Sequence, residues 1–241
     1  LPQNSPDNLG RLVLDYLGTE LGTFESGQLI PSPNATKYLA TYLNGDPDSE
    51  TLPFVGRHFD ELSIPDENPN EITASDIVAV SFLSVSIPPA AAWALLHSRK
   101  NKITEILSEI TPDLAIDDPN CDYGVFDENS SLQQLWTTLR RNASGDRWGM
   151  GPVLTSKLMA RKRPHLVPIQ DSIVLAELNA TDRDFWRMWW QAMQLTDSGH
   201  RPVRHYARKL RDSVPAAHEL SLLRVLDIVI WMNGKARRAT A

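Results

Sequence analysis

Between Arg147 and Leu178 the chain reads RWGMGPVLTSKLMARKRPHLVPIQDSIVLAEL, an order of residue types that could hold an anion and bring a carboxylate into play after it. Gly149 and Gly151 free the backbone for a tight turn and a close approach to a ligand. Pro152 lacks a backbone donor and has φ preset for a first helical position. The unpaired amides of that helix start, with the positive end of the helix dipole behind them, would suit a phosphate. In the helix that follows, Lys157 and Arg161 lie one turn apart on one face, and Leu154 and Leu158 occupy a face that can pack inward. The charged face could then track a nucleic-acid backbone. Arg147 adds a further cation at the turn, and Trp148 offers either a core side chain or a surface for stacking a base.

Asp171 precedes SIVLAEL, a plausible helix, and Asp is among the favoured N-cap residues. A carboxylate at a helix start also suits a group that must stay negative beside a developing positive charge. Capping and catalysis are compatible readings of the same residue.

The Gly149-Met150-Gly151 turn, the interval to Asp171, and the flanking Val167-Pro168-Ile169 and Ile173-Val174 resemble the helix-hairpin-helix segment of base-excision DNA glycosylases. The resemblance implies a mainly α, helix-hairpin-helix DNA glycosylase-like helical bundle. It implies that Gly149, Gly151, Lys157, Arg161, Arg147 and Trp148 bind double-stranded DNA, damaged or intact, and that Asp171 is the catalytic group of a monofunctional N-glycosylase. On that reading a nucleotide is flipped out of the stack and Asp171 stabilises the sugar cation as water attacks. The family members that also cleave the backbone carry a lysine soon after the hairpin glycines. Here that stretch is Pro152-Val153-Leu154, so no lyase step is expected. Cys121 is the only cysteine, which excludes the four-cysteine iron-sulfur cluster of other members. Ahead of the turn, the family's apolar-Pro run is replaced by the polar stretch Arg140 to Trp148. The longer segments ITASDIVAVSFLSVSIPPAAAWALL, LMARKRPHLVPIQDSIV and LLRVLDIVIWM resemble a family of uncharacterised actinobacterial proteins, a match that brings no activity with it.

Charge is segregated along the chain. Residues 1–138 hold 6 Lys and Arg against 21 Asp and Glu, a balance of −15, whereas residues 139–241 hold 18 against 9, or +9. A polyanion bound by the basic half is one implication. Mutual neutralisation of the two halves inside the protein is the other. Accordingly two rivals to the glycosylase reading stand: a non-catalytic DNA-binding protein that keeps the hairpin, and a helical interaction or ligand-binding protein whose basic half is covered.

The elements that must position these residues follow from helical periodicity. It predicts helices over 7–18, 35–43, 74–84, 88–97, 100–110, 130–141, 152–162, 171–178, 182–195, 202–212 and 218–232. Strand patterns are scarce, and 45–72 and 111–128 read as long acidic connections. The charge balance suggests an acidic helical region over 1–128 and a basic one over 129–241, with one intertwined domain as the alternative. Thr181-Asp182-Arg183-Asp184 resembles a capping box, and the Trp186, Trp189 and Trp190 stripe after it belongs to a core. Arg224 and Asp227, three residues apart in the apolar last helix, are expected to form a buried pair.

The six histidines show no metal spacing, and no cysteine pairs assist them, so no metal and no cofactor is expected. Nucleophile-elbow and Walker-type motifs are missing. No apolar run reaches membrane-span length, LPQNSPDNLG does not read as a leader, and a single cysteine suits a reducing compartment. A soluble cytoplasmic protein with no membrane partner is the expectation.

Overall fold

A computed structural model describes residues 8–46, 48–62, 68–197 and 199–240. Among them are twelve α-helices and one two-stranded sheet, so the chain is mainly helical. The chain forms two units. One is built from residues 1–54, 116–119 and 170–241, the other from 55–115 and 120–169. This division is discontinuous: each unit combines a stretch of the 1–128 region with a stretch of the 129–241 region.

The first unit contains α1 (Gly10–Tyr16), a π-helical turn (Leu17–Leu21), strands β1 (Gly22–Glu25) and β2 (Gln28–Pro31), and α2 (Pro33–Asn44). These early elements meet later ones from the same unit: α9 (Ser172–Glu177), α10 (Phe185–Gln194), α11 (Pro202–Asp212) and α12 (Leu222–Thr240). Most of α12 is buried from Leu222 to Gly234, and it packs on α2, α9 and α11, as the all-round apolar pattern of that helix requires. Polar side chains inside it are paired. Arg224 Nη1 donates to Asp227 Oδ2 at 2.5 Å, and its Nη2 donates to the Tyr42 hydroxyl at 2.9 Å. The expected buried pair therefore exists and reaches one partner more.

The antiparallel β1–β2 hairpin was not visible in the alternation pattern. Its signal is the two-residue Ser26-Gly27 loop, in which both residues have positive φ (49° and 80°), as a type I′ turn demands. Two other expectations shift. α10 begins at Phe185 rather than 182: the Thr181 hydroxyl donates to Asp184 Oδ2 at 3.1 Å, which stabilises a turn ahead of the helix. Of the tryptophan stripe, Trp189 is core, while Trp186 and Trp190 are half-buried.

The second unit contains α3 (His58–Glu61), α4 (Ala74–Ser81), α5 (Pro89–Leu96), α6 (Lys100–Ser108), α7 (Ser131–Arg140) and α8 (Pro152–Lys162). Local chemistry starts these helices. Thr73 and Asp76 form a capping box on α4, the Ser130 hydroxyl accepts from Gln133 N at the start of α7, and prolines occupy the first turns of α5 and α8. The expected 45–72 connection holds the short α3 as well; its residues 47 and 63–67 lie outside the described ones, as does residue 7 of the first predicted helix. α8 lies against α4 and α7. It is therefore the central helix of its unit.

Candidate anion-binding cleft

α7 and α8 are joined by residues 141–151, and this connection builds the site. Arg141 and Arg147 face each other in an antiparallel bridge, closed by an Asn142–Gly145 turn in which Asn142 N donates to Asp146 O at 2.9 Å and Asp146 N to Asn142 Oδ1 at 2.8 Å. Directly opposite residues of an antiparallel pair project to the same side. The two side chains thereby leave the backbone on one side of the bridge although six positions separate them in sequence, and the Arg141 guanidinium donates to Gly145 O at 2.9 Å.

Trp148 anchors the connection. Its indole N–H donates to Leu139 O at 2.8 Å, satisfying a carbonyl of the last turn of α7, and the Arg99 guanidinium lies 5.3 Å above its ring. Arg99 Nη1 in turn donates to Thr138 O at 2.8 Å and to Arg141 O, and burial holds its guanidinium below the ordinary arginine value. Of the uses expected for Trp148, packing is the one its contacts serve.

Gly149 has φ +88°, and a Cβ placed there would lie 2.7 Å from Pro88 Cγ. Only glycine meets both conditions comfortably. Gly151 has φ −75° and is the N-cap of α8, with no side chain capping its first turn, and Gly151 N closes a tight turn to Gly149 O at 3.1 Å. The first amides of α8 therefore start at the Gly149–Gly151 turn, as the sequence suggested.

A cavity of ≈ 440 Å³ opens at this place. Trp136, Arg140, Arg141, Arg147, Gly149 and Gly151 line it, together with neutral neighbours, and among the described residues no acidic side chain does. The Arg140 guanidinium stacks 5.0 Å from the Trp136 ring. An anion with a planar group attached is the chemistry this lining can accommodate: guanidiniums and helix amides for the charge, a ring and a guanidinium plane for the planar part. Arg140 and Arg141 belong to the polar stretch that distinguishes this chain from the glycosylase pattern, and sequence reasoning passed over them. The Asn-Ala-Ser-Gly turn between basic residues was the available signal.

Lys157 and Arg161 lie elsewhere. The face expected to be charged and open is an interior one. Lys157 is 4% exposed and its ammonium donates to Leu83 O at 2.9 Å, just past α4. Arg161 donates to Phe59 O at 2.8 Å and to Leu62 O, around α3, and pairs with Asp76 at 3.2 Å; Lys162 pairs with Asp76 at 3.0 Å. Arg163 is fully buried, with donors to Leu107 O at 2.6 Å and Ile110 O at 3.0 Å beyond α6, and desolvation pushes its guanidinium down to about 10. The basic run of α8 satisfies the orphan carbonyls at the ends of neighbouring helices. Burial on every side, rather than an amphipathic face, is what α8 experiences.

Asp171 belongs to the first unit, apart from the hairpin's unit. It is half-buried and is the N-cap of α9, with Oδ1 accepting from Ile173 N at 2.9 Å. Charge neutralisation between the two sequence halves is also present within each unit. In the first, Asp117 pairs with Arg204 at 2.7 Å and Arg208 at 3.8 Å, and Glu20 with Arg237 at 3.2 Å; in the second, Asp76 takes both Arg161 and Lys162. Part of the +9 of the second half is consumed this way. Arg147 of the cleft is outside those pairs.

Among the described residues, no group of three or more His, Cys, Asp and Glu could hold a metal ion, and no helix is long and apolar enough to cross a membrane. Cys121 is buried, and as the single cysteine of the chain it has no second thiol there to form a disulfide with.

A mainly helical protein in two units, with a basic cleft in one of them, is what fold and site define. Residues 35–234 match the family model described as "Family of unknown function (DUF6308)", and the chain belongs to that family. No curated protein and no solved structure matches it.

Proposed function

We propose that the protein binds DNA through the arginine-lined cleft at the Gly149–Gly151 turn. The carrying observation is the lining itself, in which Arg140, Arg141 and Arg147 share one cleft with an uncapped helix start and, among the described residues, no acidic side chain joins them. The Arg147 side chain has no hydrogen bond or ion pair among the described residues, so its donors can be given to a phosphate without breaking anything. The partial resemblance to helix-hairpin-helix DNA glycosylases supports the same use of the turn.

Fluorescence anisotropy tests this with a labelled duplex carrying an abasic-site analogue and an undamaged duplex, each over a range of salt. Binding is expected to weaken with salt. Each phosphate contact accounts for a slope of about 0.9 in log affinity against log salt, so Arg141→Ala/Arg147→Ala should flatten the slope by up to about 1.8. No binding by the parent protein at low salt would overturn the proposal.

A second, finer reading adds base excision by Asp171, favoured by the partly buried position of that residue at the start of α9. Asp171→Asn keeps a capping oxygen and should leave affinity intact while abolishing excision from a panel of damaged duplexes. The absence of excision by the parent protein would leave DNA binding alone, with Asp171 as a cap.

A further inference from the structure

We infer that the cleft takes a terminal phosphate rather than an internal one: a nucleoside phosphomonoester, with its base stacked at the Trp136–Arg140 pair. This rests on the reading of the cleft as a nucleic-acid site and narrows what it recognises.

Shape is the first ground. A protein that only tracks a duplex needs an open surface, because an internal phosphodiester continues in both directions. The half-open recess here, ≈ 440 Å³, is instead in the volume range of sites that take a small molecule or one end of a larger one. Charge is the second. An internal phosphodiester carries one negative charge on two free oxygens, whereas a phosphomonoester carries between about 1.5 and 2 charges on three. Arg141 and Arg147 at one recess, with Arg140 beside them at the Trp136 ring, match the larger charge, and guanidiniums bind such oxygens in bidentate fashion. The Arg141–Arg147 bridge fixes the backbone from which two of them project to one side, and Arg141 Nη1 is held on Gly145 O, which lowers the ordering cost of binding.

The planar pair is the third ground. Arg140 lies 5.0 Å from the ring of Trp136, and both line the recess that contains the glycine turn. Bases stack on aromatic rings and on guanidinium planes without reading sequence. A phosphate at the turn and a base at this pair describe one end nucleotide. The same chemistry could come from a DNA terminus or from a free nucleotide.

Anisotropy with duplexes that differ only in bearing phosphate or hydroxyl at their ends, together with titrations of adenosine monophosphate and inorganic phosphate, separates the possibilities. The end-phosphorylated duplex should bind about tenfold tighter or more. Arg147→Ala should erase that preference with an unchanged melting temperature. Adenosine monophosphate should bind more tightly than inorganic phosphate, and Trp136→Leu should remove that advantage. Equal, salt-dependent affinity for both duplexes would overturn the terminal-phosphate inference while leaving DNA binding in place. Binding of adenosine monophosphate, lost in Arg147→Ala, with no duplex binding would overturn the DNA reading and support a free nucleotide as the source. If neither duplex nor nucleotide binds, both fall. An unchanged nucleotide-to-phosphate ratio in a folded Trp136→Leu protein would overturn the stacking part.

Discussion

Asp76 is the residue on which the second unit depends most visibly. Its carboxylate is 1% exposed, receives Arg161 at 3.2 Å and Lys162 at 3.0 Å, and accepts from Thr73 N at 3.0 Å in the capping box of α4. Asp76→Asn keeps the volume, so no cavity is created, and it retains an oxygen for Thr73 N. What it removes is the charge opposite two cations whose side chains are only 12% and 6% exposed. Breaking a buried pair in this way costs about 3–5 kcal/mol, because the uncompensated charge stays in the interior. Against a whole-protein stability of about 5–15 kcal/mol, that is a large fraction. With a urea m-value of roughly 3 kcal/mol/M, the midpoint should fall by about 1–1.7 M. Hydrogen exchange locates the effect, and amides of α4 and α8 should lose protection first. Adding Lys162→Met to Asp76→Asn should return part of the loss, since one orphaned charge is then gone. A midpoint shift below about 0.3 M, or a double variant less stable than Asp76→Asn alone, would refute the view of Asp76 as the counter-charge of α8.

The two glycines of the turn should behave differently, since Gly149→Ala must place a Cβ at φ +88° and 2.7 Å from Pro88 Cγ, for a cost of about 1–2 kcal/mol or more, whereas Gly151→Ala meets nothing within 4 Å at φ −75° and should stay within about 0.5 kcal/mol of the parent. Equal thermal shifts for the two would contradict the geometry. Burial raises the Tyr206 phenol, whose hydroxyl donates to Leu21 O at 2.9 Å, well above the ordinary 10.0, and Tyr16 is raised by burial in the same direction. The folded state then keeps protons that the unfolded state releases above pH 10, so stability is present below that pH and is lost as pH rises past it. For Tyr206 the slope approaches about 1.4 kcal/mol per pH unit. Urea melts on both sides of pH 10 should show a shallower alkaline loss for Tyr206→Phe, and an unchanged loss would count against a buried neutral phenol.

Local chemistry was legible from the residues alone. The twelve described helices include all eleven expected from periodicity, with most ends displaced by a few residues and the last helix running to Thr240 instead of 232, because N-caps such as Thr73, Ser130 and Asp171 and prolines at first turns act over one helical turn. The Gly149 turn and the uncapped start of α8 were legible for the same reason, since a positive φ and a missing cap are properties of a few adjacent residues. The short α3 and the β1–β2 hairpin were missed. One lies in a stretch rich in acids and prolines, and the other is announced only by Ser26-Gly27.

Tertiary structure alone decided where the charges went. A basic residue on a helix reads the same whether it faces solvent or a neighbouring helix end, and only packing distinguishes Arg147, at the rim of a cleft, from Lys157 and Arg163, which fill the carbonyl ends of α4 and α6. Placing Arg140, Arg141, Arg147 and Trp136 around one recess likewise required the bridge between 141 and 147 and the packing of α7 on α8. The sequence by itself determined the helices and the turn, because those depend on neighbours along the chain. The open cleft and the buried cations depend on neighbours across it, and the two-unit fold alone supplies those.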